Sequence, residues 1–193
     1  MSQYALTDKQ KNLLDELNSV ISQEGIEIRH NEIPDFKPGE SVSIDVEHDE
    51  QGAFVGVGMY RAADCRAYYY SDIHCLLRVP ISSLSLIGHN GISDIECLQT
   101  WGVQVVYEQL VHDTMLVGHL LDSSLKDYGL KGMSKRELGI IYPSYDDIVG
   151  KRGLKTERIT LDKQPMELVM KYNTMDVYTT FKLYEKQNKR VNI

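Results

Sequence analysis

Apolar and polar residues alternate in two short segments in the first half of the chain, and a third segment is aromatic. Within residues 42–47 the alternation puts Asp45 and Glu47 on one polar face, opposite an apolar face, which predicts a half-buried strand. Residues 53–60 alternate in the same way, and residues 66–71 are aromatic and β-prone. Only short turns separate these segments, so we predict an antiparallel meander of three strands.

The rest of the chain shows helical spacing mixed with short apolar runs. An amphipathic helix is predicted over residues 7–22, with Thr7 as its cap and Gln10 at the capping-box position. Further elements are predicted at these positions: strands at 83–88 and 103–108, helices after Asp94, after Asp113 and at 130–138, a loop at 141–164 and a last long helix from Pro165 to about residue 187. This order predicts an α/β fold, a mixed sheet flanked by helices, over residues 41–193. Residues 1–40 are predicted to form an N-terminal helix and a connector.

Composition agrees with one globular domain. The 193 residues are 42% hydrophobic and 25% charged, with a formal net charge of −7 at pH 7. No apolar run reaches the ~18 residues of a membrane helix, no secretory signal is visible, and the three cysteines have no CxxC spacing. We therefore expect a cytoplasmic protein. Acidic residues predominate before residue 131 and basic ones after it, which is typical of a cation site near a polyanion site, or of two solvated surfaces.

Four acids are candidates for chemistry, each with a simpler alternative. Asp45 and Glu47 project from one face of a strand, which could also be a solvated face. Asp94 follows the strand 83–88, where α/β sheets bind ligands, but it also suits a helix N-cap. Asp176 falls within the apolar stripe of the last helix, one turn after Tyr172. Either the helix is rotated to expose it, or a lysine, an arginine or a metal ion meets it. Oxygen ligands alone favour Mg²⁺ or Mn²⁺.

Three segments in this order resemble the motifs of a known enzyme family. Residues 43–47, 88–94 and 172–176 resemble the three exonuclease motifs of the DEDDy 3′–5′ exonucleases. Residues 111–151 resemble the proofreading domain of bacterial family A DNA polymerases. The resemblance implies a ribonuclease-H-like fold and a two-metal-ion hydrolysis of phosphodiester bonds.

The resemblance also implies roles for individual residues. Asp45, Glu47 and Asp176 would hold one divalent ion, and Asp45 with Asp94 a second one. Tyr172 would orient the attacking water together with Glu47.

Substrate and partner follow from the same resemblance. The implied substrate is the 3′ end of single-stranded DNA, released as nucleoside 5′-monophosphates. Asn90 and His89 are assigned to substrate binding, and Lys151, Arg152 and Lys155 of the basic loop would follow the phosphate backbone. The sequence ends at Ile193, shortly after Asp176, so we expect a free-standing exonuclease, a subunit that proofreads in trans for a separate DNA polymerase, or an excised domain. The alternatives are an exoribonuclease of the ribonuclease D type and a non-catalytic adaptor that binds nucleic acid or a polymerase.

Overall fold

A mixed sheet forms the centre of the computed structural model, which describes residues 6–151 and 158–191. Its strands are β1 (Glu27–His30), β2 (Ser41–His48), β3 (Phe54–Arg61), β4 (Arg66–Tyr70), β5 (Ser85–Gly88) and β6 (Leu110–Asp113). They are arranged in the order β1-β4-β3-β2-β5-β6. β2, β3 and β4 pair antiparallel, whereas β1 with β4, β2 with β5 and β5 with β6 pair parallel. The predicted fold class is confirmed.

Helices surround this sheet. They are α1 (Asp8–Gln23), α2 (Ile73–Leu76), α3 (Gly91–Thr100), α4 (Thr114–Leu121), α5 (Leu130–Met133, continued by a π-helical turn at Ser134–Leu138), α6 (Tyr145–Val149) and α7 (Met166–Val191). Single 3-10 turns lie at Ile81–Ser83, Tyr107–Gln109 and Leu161–Lys163. Within the described ranges, no helix has both the length and the apolar character needed to cross a bilayer.

Two hydrophobic cores cover the two faces of the sheet. One lies between the sheet and α1 and α7, and contains Tyr60 and Tyr69 of the strands. The other lies against α2 and α3 and contains Ile44 and Met59. Because neighbouring side chains of a strand point to opposite faces, residues 43, 45 and 47 of β2 face α7. This alternation places the two acids of β2 beneath the longest helix.

Helix α1 forms as predicted, with the Thr7–Gln10 capping box in place. Its buried residues Leu13, Leu14, Leu17 and Ile21 belong to the same core as α7. Strand β1, which the sequence analysis did not predict, follows α1 and extends the sheet beside β4. The division of the chain at residue 40 stays a prediction.

The predicted strand at 103–108 is wrong. Val103 and Val105 are buried in the core, but their backbone pairs with no strand, and the chain then turns through Tyr107–Gln109. The Gln109 side chain fixes this turn by donating to the carbonyls of Ile81 (2.6 Å) and Leu84 (3.1 Å). Pairing with β5 begins only at Leu110, so an alternating segment here supplies core contacts and no sheet hydrogen bonds.

The predicted loop at 141–164 contains two short helical elements. α6 is held by a capping box in which Ser144 and Asp147 bond each other's backbone N–H groups. A 3-10 turn at Leu161–Lys163 precedes α7. Elements of three to five residues are too short to show a period in the sequence. Arg152 and Lys155, predicted for this loop, lie outside the described residues.

Candidate active site

The docking of α7 on β2 brings the first and the last of the four acids together. Ser43 in β2 is fully buried and donates a hydrogen bond of 2.6 Å to the carbonyl oxygen of Val177 in α7. Val177 is the next residue after Asp176, and Ser43 lies two residues before Asp45 on the same face. This bond therefore fixes the helix so that its acid faces those of the strand.

Three carboxylates converge at this contact. Asp45, Glu47 and Asp176 each offer an oxygen atom, and these atoms lie within 4.8 Å of one another. Glu47 and Asp176 are buried, and Asp45 is half-buried. A buried anionic group is rare unless it is paired or binds a metal. The arrangement is thus that of a binding site and not of a solvated acidic face.

Asp94 lies near this group, close enough for its charge to act on Asp45. It is buried near the start of α3, and its Oδ2 atom has no hydrogen-bond partner among the described residues. Asp113, at the end of β6, fixes the start of α3 by accepting from the backbone N–H of Gly91 (2.8 Å) and of Asn90 (3.2 Å). The carboxyl ends of β5 and β6 are thereby tied together, and Asp94 is positioned near the ends of the central strands.

Burial and neighbouring negative charges raise the pKa of Glu47, Asp94 and Asp45. Burial, with repulsion from Asp176, raises the pKa of Glu47 from 4.5 to about 8. Burial, with the charge of Asp113, raises that of Asp94 from 3.8 to about 8, and the pKa of Asp45 also lies well above its usual range. Without a cation the site therefore retains protons near neutral pH.

One lysine enters the site. Lys131 of α5 forms an ion pair with Asp176, and its Nζ lies 3.9 Å from the ring centre of Tyr142 and 4.4 Å from that of Tyr172. A lysine partner was one of the two alternatives for Asp176, and the structure contains it. In the ranges that the structure describes, it is the sole ion-pair partner of any of the four acids. The charge of this ammonium group balances that of one carboxylate, so three of the four acids have no ion-pair partner among the described residues.

The donor set fits a divalent metal ion. All candidate ligands are carboxylate oxygens, which Mg²⁺ and Mn²⁺ prefer, and Asp94 supplies a buried oxygen that lacks any other partner. Asp45, Glu47 and Asp176 would hold the ion, with Asp94 adjacent. Such an ion activates water and stabilises a leaving oxygen in phosphodiester hydrolysis.

Tyr172 lies one helical turn before Asp176 and is buried. Its burial and the neighbouring charge of Asp176 raise the pKa of the phenol well above its usual range. The hydroxyl therefore stays protonated at neutral pH and can both donate and accept hydrogen bonds. A neutral phenol of this kind can orient a water molecule next to the carboxylates.

The predicted substrate-binding residues lie in different places. His89 is half-buried and its Nδ1 lies 2.8 Å from Thr114 Oγ1, while Asn90 is exposed at the start of α3 with its side chain 3.4 Å from Ser93 Oγ. Burial lowers the pKa of His89, so its ring is neutral. Lys151 is exposed and borders a cleft beside α1. Asp146 lines both this cleft and the one that contains Asp176, but Lys151 lines only the first.

Two residues in the site were missed by the sequence analysis. One is Lys131, and the other is Asn173, whose side-chain amide contacts both Asp45 and Glu47. A signal for the second existed: Gly58 and Gly56 lie directly opposite Asp45 and Glu47 in the sheet. Gly58 leaves room for the Asn173 amide, and Gly56 leaves room for the Tyr69 hydroxyl.

Comparison with protein families decides the class of this site. A family model described as 3′–5′ exonuclease matches residues 35–192 and thus spans all four acids and Tyr172. The chain belongs to the 3′–5′ exonuclease family. It is therefore a nuclease, which confirms the predicted family and enzyme class. No curated protein matches the chain in sequence.

Solved structures of nucleases share the fold. Brucella melitensis NrnC with bound Mg²⁺ is 18% identical, with a TM-score of 0.59 over 86% of this chain and 82% of that one. The same protein bound to pGG gives 18% identity and a TM-score of 0.57 over 86% of this chain and 81% of that one. The catalytic core of Trypanosoma brucei RRP6 (mutant C496S) is 12% identical, with a TM-score of 0.53 over 94% of this chain and 45% of that one. At these identities the likeness shows the fold, and it confirms the predicted ribonuclease-H-like architecture.

Proposed function

We propose that this exonuclease removes nucleotides from the 3′ end of single-stranded DNA and releases nucleoside 5′-monophosphates. The observation that carries the proposal is the buried convergence of Asp45, Glu47 and Asp176 next to the neutral phenol of Tyr172. In this proposal the three acids, with Asp94, hold divalent cations at the terminal phosphodiester. Tyr172 and Glu47 orient the water that attacks the phosphorus atom, and the 3′ oxygen of the preceding nucleotide leaves.

The cleft outside the acids supports a single-stranded substrate. It has a volume of about 450 Å³, and Lys131, Tyr172 and Asp176 line it together with Tyr145. Tyr145 is partly exposed, and the guanidinium of Arg158 lies 5.7 Å from its ring centre. Proteins that bind single strands combine aromatic rings for base stacking with positive charge for the phosphates. At this cleft Tyr145 supplies an exposed ring with the Arg158 guanidinium against it, and Lys131 supplies a further positive charge.

The biological setting is part of the proposal. We infer that the enzyme works in the cytoplasm and proofreads in trans for a separate DNA polymerase, in replication or repair. Cleavage of RNA is the second candidate, because the solved structures with the same fold include NrnC bound to pGG and the RRP6 catalytic core.

A degradation assay tests the proposal. Oligonucleotides of DNA and RNA with matched sequence, labelled at the 3′ or the 5′ end, are incubated with Mg²⁺, Mn²⁺ or EDTA. We expect stepwise shortening of single-stranded DNA from the 3′ end, dependent on the metal and lost in Asp45→Asn and Asp176→Asn. Glu50→Gln, an exposed acid three residues after Glu47, is the matched control and should leave the ladder unchanged. Undiminished digestion by both site variants would refute the proposal, and faster cleavage of RNA would favour the second candidate.

A further inference from the structure

A buried amide lies against two of the acids. Asn173 in α7 is fully buried, and its Nδ2 donates to Asp45 Oδ2 at 2.7 Å and lies 3.3 Å from Glu47 Oε1. It also lies 3.4 Å from the carbonyl oxygen of Asp45. A single neutral group thus bridges the D-x-E pair of β2. Its hydrogen bond lowers the pKa of Glu47, which means that it favours the ionised carboxylate.

The sheet leaves space for this amide through a glycine. Gly58 of β3 is the cross-strand partner of Asp45, and a Cβ atom at Gly58 would lie 1.7 Å from Asn173 Oδ1. No real side chain tolerates that distance, so the amide keeps its position only because residue 58 has no side chain. Gly58 has an ordinary extended backbone, so the close approach and not its conformational freedom is what requires glycine here.

The chemistry of the amide explains why asparagine suits the position. Asp45 and Glu47 repel each other when ionised, and a shared donor holds both oxygens toward one point. A lysine there would compete with a metal ion, and an aspartate would add a further negative charge. The opposite atom, Asn173 Oδ1, is buried with no partner among the described residues. The side chain is therefore placed for the hydrogen bonds that its nitrogen makes to Asp45 and Glu47.

We propose that Asn173, which packs against Gly58, is a positioning residue. It fixes Asp45 and Glu47 for a divalent cation and so sets the affinity of the site for that cation. The inference rests on the proposed metal chemistry of the acids. Residues that orient metal ligands through hydrogen bonds typically change metal affinity by about 10–100-fold when they are replaced. Asn173 contacts neither water nor substrate in this proposal and acts only through the two carboxylates.

Replacement of Asn173 by leucine tests whether its hydrogen bonds to Asp45 and Glu47 set the metal affinity. Asn173→Leu keeps the approximate volume and removes the hydrogen bonds, so we expect Mn²⁺ affinity, measured by calorimetry without nucleic acid, to fall about 10–100-fold. Thr174→Val is the matched control, because Thr174 is the next residue of α7, is equally buried, and its hydroxyl has no partner among the described residues. It should bind Mn²⁺ like the wild type. Wild-type affinity in Asn173→Leu, or an equal loss in Thr174→Val, overturns the inference.

A double-mutant cycle tests whether the absence of a side chain at Gly58 keeps the Asn173 amide in position. Gly58→Ala alone should also weaken Mn²⁺ binding, because the new Cβ displaces the amide. In an Asn173→Ala background the same change should cost little further affinity, since the displaced group is already gone. Additive losses, or no loss in Gly58→Ala, overturn the inference, and this arm remains informative if Asn173→Leu does not fold.

Asp45→Asn separates failure of this inference from failure of the proposed function. If Asp45→Asn loses Mn²⁺ binding while Asn173→Leu does not, the metal site stands and only the role of Asn173 is refuted. If Asp45→Asn binds Mn²⁺ like the wild type, the proposed metal site fails, and the role of Asn173 fails with it.

Discussion

In the absence of divalent cations, the free energy of unfolding should decrease as the pH rises from 5.5 to 8. The folded state holds a proton on Glu47 up to about pH 8, because burial and the charge of Asp176 raise its pKa from 4.5. The unfolded chain releases that proton near pH 4.5. Between these values the folded state binds more protons, so the free energy of unfolding decreases with rising pH.

The size of this effect follows from the pKa difference. Moving one carboxyl from a pKa of 4.5 to about 8 corresponds to roughly 5 kcal/mol across that window. Domain stabilities are about 5–15 kcal/mol, and for a domain of this size 1 kcal/mol shifts Tm by about 2–4 °C. Between pH 5.5 and 8 roughly 3 kcal/mol of this change occurs for Glu47 alone, so we expect Tm in EDTA to fall by about 6–12 °C over that range. Acids whose pKa is lowered by ion pairs or caps, such as Asp147, titrate below this window.

Thermal unfolding followed by circular dichroism, in EDTA and in Mg²⁺, measures the effect. Mg²⁺ should raise Tm more at pH 8 than at pH 5.5, because a cation favours the ionised carboxylates. Glu47→Gln removes a titrating group and keeps an oxygen for the Asn173 amide, so in EDTA at pH 8 it should unfold at a higher temperature than the wild type. Equal Tm values for the wild type in EDTA at both pH values, or an unchanged slope in Glu47→Gln, would refute the reasoning.

Three further changes test other parts of the structure. Tyr172→Phe removes a neutral phenol but no carboxylate, so turnover should fall about 100-fold while Mn²⁺ affinity stays unchanged in calorimetry; a large loss of metal affinity would contradict its assignment to water. Lys131→Met removes the cation that pairs with Asp176 and should raise Mn²⁺ affinity about 5–10-fold, and weaker binding would show that the lysine does not compete with the metal. Leu17→Ala opens a cavity at a fully buried position of α1 and should lower the free energy of unfolding by about 2–5 kcal/mol in urea; a value near zero would mean that α1 is not part of the folded core.

Sequence patterns predicted those elements of the fold that are specified by a few consecutive residues. The alternation in β2 and the capping box of α1 are of this kind, because a strand or a helix end is specified within a few residues. The segment at 103–108 shows the limit of such patterns. Its alternation is real, but sheet pairing depends on where β5 ends and on the contacts of Gln109 with Ile81 and Leu84, which are distant in sequence.

The residues of the candidate site also differ in whether the sequence could predict them. Asp176 was detectable because an acid within an apolar helical stripe demands a partner, whatever that partner is. Lys131 could not be predicted from the sequence, because it reaches Asp176 through the packing of α5 beside α7. Lysines in a short helix are usually solvated. Asn173 was not detected either, although Gly58 opposite Asp45 indicated that another side chain occupies that space.

Three kinds of group stabilise the buried carboxylates of the site, and a divalent cation would affect each kind differently. Protons neutralise Glu47 and Asp94, and an ammonium group neutralises Asp176. Both kinds of positive charge oppose a divalent cation, because it needs the same oxygen atoms in their ionised form. The amide of Asn173 differs because it is neutral and favours ionised carboxylates. Of the three, it is the group that can stay in place in the metal-free and the metal-bound protein, and it can therefore preserve the geometry of the acids while their charge changes.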